Sequence, residues 1–539
     1  MNVFDRLVPG SAQVGAEEYA ARTGRPGLGA ALAELSGGDL EALAGTPAFD
    51  LVRAVAIEAY YGDYATPGYT GQTGHEAIGF TPPQAVRLRK SWEFLDERPV
   101  PYTGDDEADV IVVGSGAGGG LIAAELGRAG LDVLLLEAGE LHGAADHTRF
   151  ELRANHRLWW PARFVEVAGD RPLALLSGRC VGGTTVINTK VALRAPDEEL
   201  PFALGPYYDR VEAALGVRVR ADWPPSVHLV RRGFQALGAD LKPVESYTDY
   251  TCSRCGSCLQ GCPTNAGRNT LNTWLAPALA RGEIRLRTGV QADRLLISDG
   301  RVTGVAHQGG VARAPVVVLA AGALNTPQIL RRTPGFPAFP GTLGLHPARL
   351  VYGLFDTPQD CHMVYPITAH CLDFQRDFII EATTIQDPVA FAASLVDAAG
   401  LPLWGRALTE VVRDYRRWAG LLVMANDLNT ATVAPGDVFR KSFTALERDR
   451  MSAGLAFAVR ALEAAGAERV VWTGLCTSHV QGSAPIGGVT DGSGRVEAVE
   501  GLYVGDASLI PVSLSVNPSL TVMALAARVA DAILERAPG

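Results

Sequence analysis

The chain has 539 residues, 47% of them hydrophobic and 20% charged, with a net charge of −10. That composition describes an ordinary globular protein of about three to four domain-sized units. The acidic balance, with no Lys/Arg stripe, argues against a nucleic-acid partner, and no apolar run approaches the ~20 residues a membrane span needs.

The opening MNVFDRLVPGSAQVG has neither a basic n-region nor an apolar h-region, so a cytoplasmic location is expected. Residues 1–104 read as a helical extension, with helices over Leu28–Leu43 and Phe49–Tyr61. The Gly/Pro/aromatic loop YYGDYATPGYTGQTGHEAIGFTPP follows. Its aromatic–Gly–aromatic run before Ile-Gly-Phe is similar to the small, non-flavin subunit of membrane gluconate dehydrogenases, which would suit a fused accessory subunit.

Residues 109–139, DVIVVGSGAGGGLIAAELGRAGLDVLLLEAG, carry the strongest signal. An apolar strand runs into Gly114, Gly116 and Gly119 as G-x-G-x-x-G, then a small-residue helix, a second strand and Glu137. Gly114 permits a tight turn, Gly116 lets backbone approach a pyrophosphate, and Gly119 allows close helix–strand packing. The phosphates would sit with Ser115 on the helix N-terminus. Glu137, followed by Ala138, is placed to accept from an adenosine ribose hydroxyl.

Further along, CSRCGSCLQGCPTN spaces Cys252, Cys255, Cys258 and Cys262 as C-x2-C-x2-C-x3-C-P, the bacterial ferredoxin pattern. It predicts an iron–sulfur cluster; zinc or a metal-free turn, with or without a disulfide, are the alternatives. Cys361, Cys371 and Cys476 read as buried apolar residues. Residues 284–323 alternate strands and turns, with Asp299-Gly300 as a hairpin turn before a returning apolar strand. Residues 342–440 contain strand-like stretches, and 444–465 an amphipathic helix.

The last block, SHVQGSAPIGGVTDGSGRVEAVEGLYVGDASLIPVSLSVNPSLTVMALAARVADAIL, completes a set of four motifs with the fingerprint, GRCVGGTTVINTKVALR and VVVLAAGALNTPQILRR. In that order, over about residues 105–537, they resemble the glucose–methanol–choline (GMC) family of FAD oxidoreductases. The resemblance implies an α/β fold. A Rossmann-like FAD-binding domain (residues 105–201, 264–340 and 466–539) would carry an antiparallel-sheet substrate domain (202–263 and 341–465).

It also implies roles. Gly182, Gly183 and Asn188 match the turn that lies along the isoalloxazine ring, with Arg179 near the pyrophosphate and Ala292 meeting adenine through its backbone. Asp506 and Ala507 match the segment meeting diphosphate and ribitol. Asn517 and Pro518 head the closing helix, aimed at the flavin pyrimidine. His479 and Asn517 match the catalytic pair: a neutral imidazole suits removal of a hydroxyl proton, and an amide can hydrogen-bond the developing alkoxide. His346 also has a family counterpart and reads as structural. Cysteine-rich segments recur in members related to long-chain alcohol and steroid oxidation.

The expectation is therefore an FAD-dependent dehydrogenase that oxidises a CH–OH group of an alcohol or sugar-like substrate. Its electrons would pass through the cluster to a quinone or partner protein. An oxidase making hydrogen peroxide, a hydroxynitrile-type lyase and a pure electron-transfer subunit are the rivals. Trp159, Trp160 and residues 350–440 could line the substrate pocket. His156 and Cys180 are the nearby candidates for covalent flavin attachment.

Overall fold

A computed structural model of the chain describes residues 2–65, 69–80, 92–98, 100–148, 150–434 and 438–536. Of the Gly/Pro/aromatic stretch 60–83, residues 66–68 and 81–83 lie outside the described residues.

The fingerprint segment folds as its pattern requires. Strands β1 (Val110–Val113), β2 (Val133–Leu136), β3 (Ile284–Arg287), β4 (Val316–Leu319) and β5 (Leu502–Val504) form a parallel sheet in the order β5-β4-β1-β2-β3. β1 and β2 are buried at every position, as expected of parallel strands covered on both faces. Helices α1 (Gly119–Arg128), α2 (Gly322–Arg332) and α3 (Ser519–Leu534) lie against it and share its core. Gly119 explains how closely: a Cβ there would stand 2.0 Å from the Gly114 carbonyl oxygen and 2.8 Å from Ala320 Cβ. The Asp299-Gly300 hairpin forms, joining Ala292–Ser298 to Arg301–His307. Both turn residues have positive φ, +50° and +74°, the geometry a two-residue primed turn demands.

The second body is a large, mostly antiparallel sheet. Ala348–Leu354, Trp418–Ala425, Phe378–Thr383, Ile367–Cys371 and Lys242–Ser246 are successive neighbours. Trp159–Gly169, Leu173–Gly178, Arg469–Thr473 and Leu475–Thr477, grouped by sequence with the flavin-binding segments, hydrogen-bond into this sheet instead. Helix Ala445–Ala464 crosses it, capped by the Thr444/Glu447 box.

The N-terminal extension packs on the same sheet. Phe4, Leu7, Leu35, Phe49 and Val52 share a core with Phe391, Leu408, Val411 and Trp418. The expected Leu28–Leu43 helix is two, Leu28–Gly37 and Leu40–Leu43. Gly38 is extended, and Asp39 caps the second by accepting from the Glu41 N–H at 3.0 Å. The buried Arg53 guanidinium donates to the carbonyls of Leu403 (2.6 Å), Ala393 (3.0 Å) and Ala392 (2.9 Å). No helix among the described residues is long and apolar enough to cross a membrane.

Candidate active site

One elongated cavity runs from the fingerprint loop to the antiparallel sheet. Its first half is lined by Gly114, Ser115, Gly116, Gly118, Glu137, Ala138, Arg179, Gly183, Asn188 and Ala292. Gly116 is open toward it: a Cβ there would have only Gly183 Cα within reach, at 4.0 Å, and would fill space that a bound group could use. Gly183 has φ +54° and Gly182 φ +94°, a region that favours glycine. Gly119 and Gly182 do not line the cavity; both support its wall.

Ser115 ties this wall together. Its Oγ donates to Glu137 Oε2 at 2.6 Å and accepts from Gly182 N–H at 2.9 Å. Glu137 also accepts from the N–H groups of Ser115 (3.0 Å) and Gly139 (2.8 Å). The carboxylate is thus fixed in place by the protein, with lone pairs left for a further donor. Arg179 donates to the Ala138 carbonyl at 3.2 Å, and Asn188 to Tyr247 Oη at 2.5 Å. Asp506 accepts from Gly322 N–H (2.8 Å), Thr326 Oγ1 (2.6 Å) and Ser508 N–H (2.7 Å), so it clamps the start of α2. These glycine-backed walls, an open helix N-terminus and an anchored acid fit a dinucleotide such as FAD.

The far half is lined by Trp159, Trp160, Leu350, Ile367, Thr383 and Leu422, and by His479, Asn517 and Pro518. His479 Nδ1 lies 3.3 Å from His346 Nδ1 and 3.0 Å from Met424 Sδ, which leaves Nε2 for the cavity. Desolvation first, and then His346, pull the His479 pKa down to about 3, so the ring is neutral at ordinary pH. His346, read from the sequence as structural, is the direct neighbour of His479. It is buried, with φ +43°, unusual for a non-glycine residue. The residue before it is held at both backbone groups: Leu345 N–H donates to Asp427 at 2.9 Å, and Thr477 Oγ1 donates to the Leu345 carbonyl. Gln481 Nε2 reaches His346 Nε2 at 2.8 Å. Gln481, Met424 and Glu381 were not picked out by sequence. Gln481 stands two residues from His479 in the same motif, and Glu381 is a lone acid in an apolar strand; those were the available signals.

The cysteine turn reaches the cavity through Leu259, whose carbonyl accepts from Trp159 Nε1 at 3.2 Å, but its thiols do not assemble as expected. Cys252 and Cys255 are partly exposed, whereas Cys258 and Cys262 are buried. Gly267 N–H donates to Cys262 Sγ at 3.3 Å and Arg254 N–H to Cys252 Sγ at 3.4 Å. Among the described residues no three His, Cys, Asp or Glu side chains come together as a group that could hold a metal ion. The four thiols therefore do not fit the predicted cluster. Lys190, fully buried, stands beside Cys258 and Cys262. Neither candidate for covalent flavin attachment lines the cavity: His156 Nε2 meets the Glu97 carbonyl at 2.9 Å, and Cys180 is packed beneath the Gly182–Gly183 turn.

Two family models, both described as GMC oxidoreductase, match residues 108–338 and 419–526. An uncharacterized GMC-type oxidoreductase of Sinorhizobium fredii is 30% identical, over 79% of this chain and 95% of that protein. A long-chain-alcohol oxidase of Arabidopsis thaliana is 28% identical, over 82% of this chain and 70% of that one. The fold is similar to that of pyridoxine 4-oxidase from Mesorbium loti (TM-score 0.58, 17% identity, 80% of this chain and 100% of the other). With its cavity, its motifs in order and these relatives, the chain belongs to the GMC oxidoreductase family, FAD-type enzymes acting on CH–OH donors.

Proposed function

We propose that the protein oxidises an alcohol, with His479 as the proton acceptor, Asn517 as the hydrogen-bond donor to the alkoxide, and oxygen as the final electron acceptor. The observation that carries the reading is the convergence of His479 and Asn517 on one cavity whose other end is the glycine-walled dinucleotide site. Gly114, Ser115, Gly116, Glu137, Ala138, Arg179 and Ala292 would hold the adenosine and pyrophosphate of FAD. Gly183, Asn188, Asp506, Ala507, Asn517 and Pro518 would hold its flavin half. When bound, FAD supplies the hydride acceptor.

The chain's own groups handle the proton. Burial keeps His479 unprotonated and therefore able to accept. Its tautomer is set through His346. With the Gln481 amide nitrogen at His346 Nε2, His346 carries its proton on Nδ1 and donates to His479 Nδ1, so His479 presents Nε2–H to the cavity. A half-turn of the Gln481 amide reverses both tautomers and frees Nε2 to take the hydroxyl proton.

Oxygen is favoured because the Arabidopsis relative is an alcohol oxidase and because, among the described residues, an electron relay through the cysteine turn has no ligand set to run through. The test is anaerobic mixing of the FAD-loaded protein with a series of primary alcohols, following loss of flavin absorbance, then mixing the reduced protein with oxygen or a one-electron dye. Bleaching followed by rapid reoxidation in oxygen is expected. Reoxidation by the dye alone restores the dehydrogenase reading, and product formation with the flavin still oxidised means a lyase.

A further inference from the structure

A buried acid stands behind Asn517 and has no part in the chemistry described so far. Glu381 lies in the strand Phe378–Thr383 and is 0% exposed. Side chains alternate along a strand, so Glu381 shares a face with Thr383, which lines the cavity. Across the sheet it stands opposite Leu422, and Leu422 opposite Leu350; both leucines line the cavity too. Neither carboxyl oxygen of Glu381 has a hydrogen-bond partner among the described residues. The NH2 end of the Asn517 amide is set against it, an N–H donor that favours the charged form. Asn517 Oδ1 is itself buried and without a partner. Each buried polar atom left without a partner costs stability unless it bonds.

Resting on the function proposed above, we infer that Glu381 is the positioning residue for Asn517, its carboxyl deciding which end of the amide meets the alcohol. Protonated, the carboxyl has an O–H to donate to Asn517 Oδ1, which turns the amide NH2 toward the cavity as a donor for the alkoxide. Ionised, it draws the amide nitrogen to itself and leaves the carbonyl facing the alkoxide, an acceptor set against a negative charge. The first arrangement supports oxidation and the second opposes it.

The surroundings favour the protonated form. Burial pushes the Glu381 pKa up to about 7, against the smaller opposing effect of Asn517. From the strand Ile367–Cys371 the facing group is His370, whose pKa burial and then Lys242 pull down to about 4, so it is neutral. From the strand Trp418–Ala425 the facing group is Leu422, and from the loop before α3 it is Asn517. No positive charge on these elements offsets an ionised Glu381.

The test uses the FAD-loaded full chain, dodecan-1-ol as the probe, and anaerobic flavin reduction between about pH 5 and 9. The wild-type rate should fall about tenfold from one pH unit below the Glu381 pKa to one unit above it, following the protonated fraction. Glu381→Gln keeps a neutral donor for Oδ1, so its rate should stay near the wild-type acid plateau and lose the pH step. Glu381→Leu should be slow at every pH. Infrared titration of the oxidised holoenzyme, which needs no substrate, should show a protonated-carboxyl stretch that disappears with the same midpoint and is missing in Glu381→Gln. A pH step surviving in Glu381→Gln, a wild-type rate in Glu381→Leu, or no such stretch would each overturn the inference. Should no alcohol reduce the wild-type flavin, the proposed function fails, and the infrared titration still decides the ionisation of Glu381.

Discussion

Lys441 offers a test of how the backbone beside His346 is held. Its ammonium lies 3.0 Å from Asp427 Oδ2 and 2.6 Å from Glu447 Oε1, with all three side chains at 1% exposure or less. Asp427 also accepts the Leu345 N–H at 2.9 Å, and Glu447 the Leu428 N–H at 3.0 Å. The lysine thus neutralises two buried carboxylates, one pinning the residue before the strained His346 and the other the loop at Leu428. Lys441→Met keeps most of the aliphatic stem but leaves two negative charges facing each other out of water. Breaking a buried pair in this way costs about 3–5 kcal/mol. At about 1.4 kcal/mol per factor of ten, amide hydrogen exchange at Leu345 and Leu428 should lose roughly 10²- to 4 × 10³-fold of its protection. The triple variant Lys441→Met/Asp427→Asn/Glu447→Gln removes the charges together and should recover much of that loss. Unchanged protection in Lys441→Met, or a triple variant as labile as the single one, would refute the argument.

His479→Ala should slow flavin reduction by roughly 10²–10⁴-fold, the usual contribution of a general base, with FAD content unchanged; equal rates would remove the histidine from the mechanism. Because the His479 pKa is lowered to about 3, protonation of that ring should give no acid limb in the rate profile above about pH 4, and a limb near pH 6.5 that vanished in His479→Ala would contradict this. Glu137→Ala leaves the Ser115 and Gly139 N–H groups without their acceptor, so FAD affinity should drop by about 1–3 kcal/mol, measured by titrating apoprotein. Cys255→Ser should leave the oxygen-linked rate and the iron content of anaerobically purified protein as they are in wild type; iron and sulfide in the wild type that are lost in the variant would reinstate the cluster.

What could be read from the sequence was whatever is local. Strand, glycine turn, helix and acid lie within residues 109–139, so their geometry is fixed by near neighbours and the pattern carries it. The Asp299-Gly300 turn is legible for the same reason, since it needs only two residues able to take positive φ. Glu381 and Asn517 were not linked, because 136 positions of chain separate them and nothing local marks which buried face a strand presents. Arg469–Thr473 and Leu475–Thr477, grouped by sequence with the flavin-binding segments, pair into the antiparallel sheet, and a short apolar strand does not say which sheet it joins. The cysteine spacing is a local signal as well, but ligation requires that the turn bring its thiols to one point. Here Ser257–Gln260 form a 3₁₀ turn that leaves two thiols inside and two near the surface.

The carbonyls that Arg53 serves belong to the segment between residues 392 and 403, which is part of the substrate-side body rather than of the extension itself. Cutting the chain ahead of the fingerprint would therefore strip three acceptors of their donor and open an aromatic core to water in a body that the cut never touches. A trimmed version made to isolate the catalytic portion would be expected to precipitate rather than work. In engineering terms the first sixty residues are a foundation wall, and variation in them would be felt through the sheet at the back of the pocket.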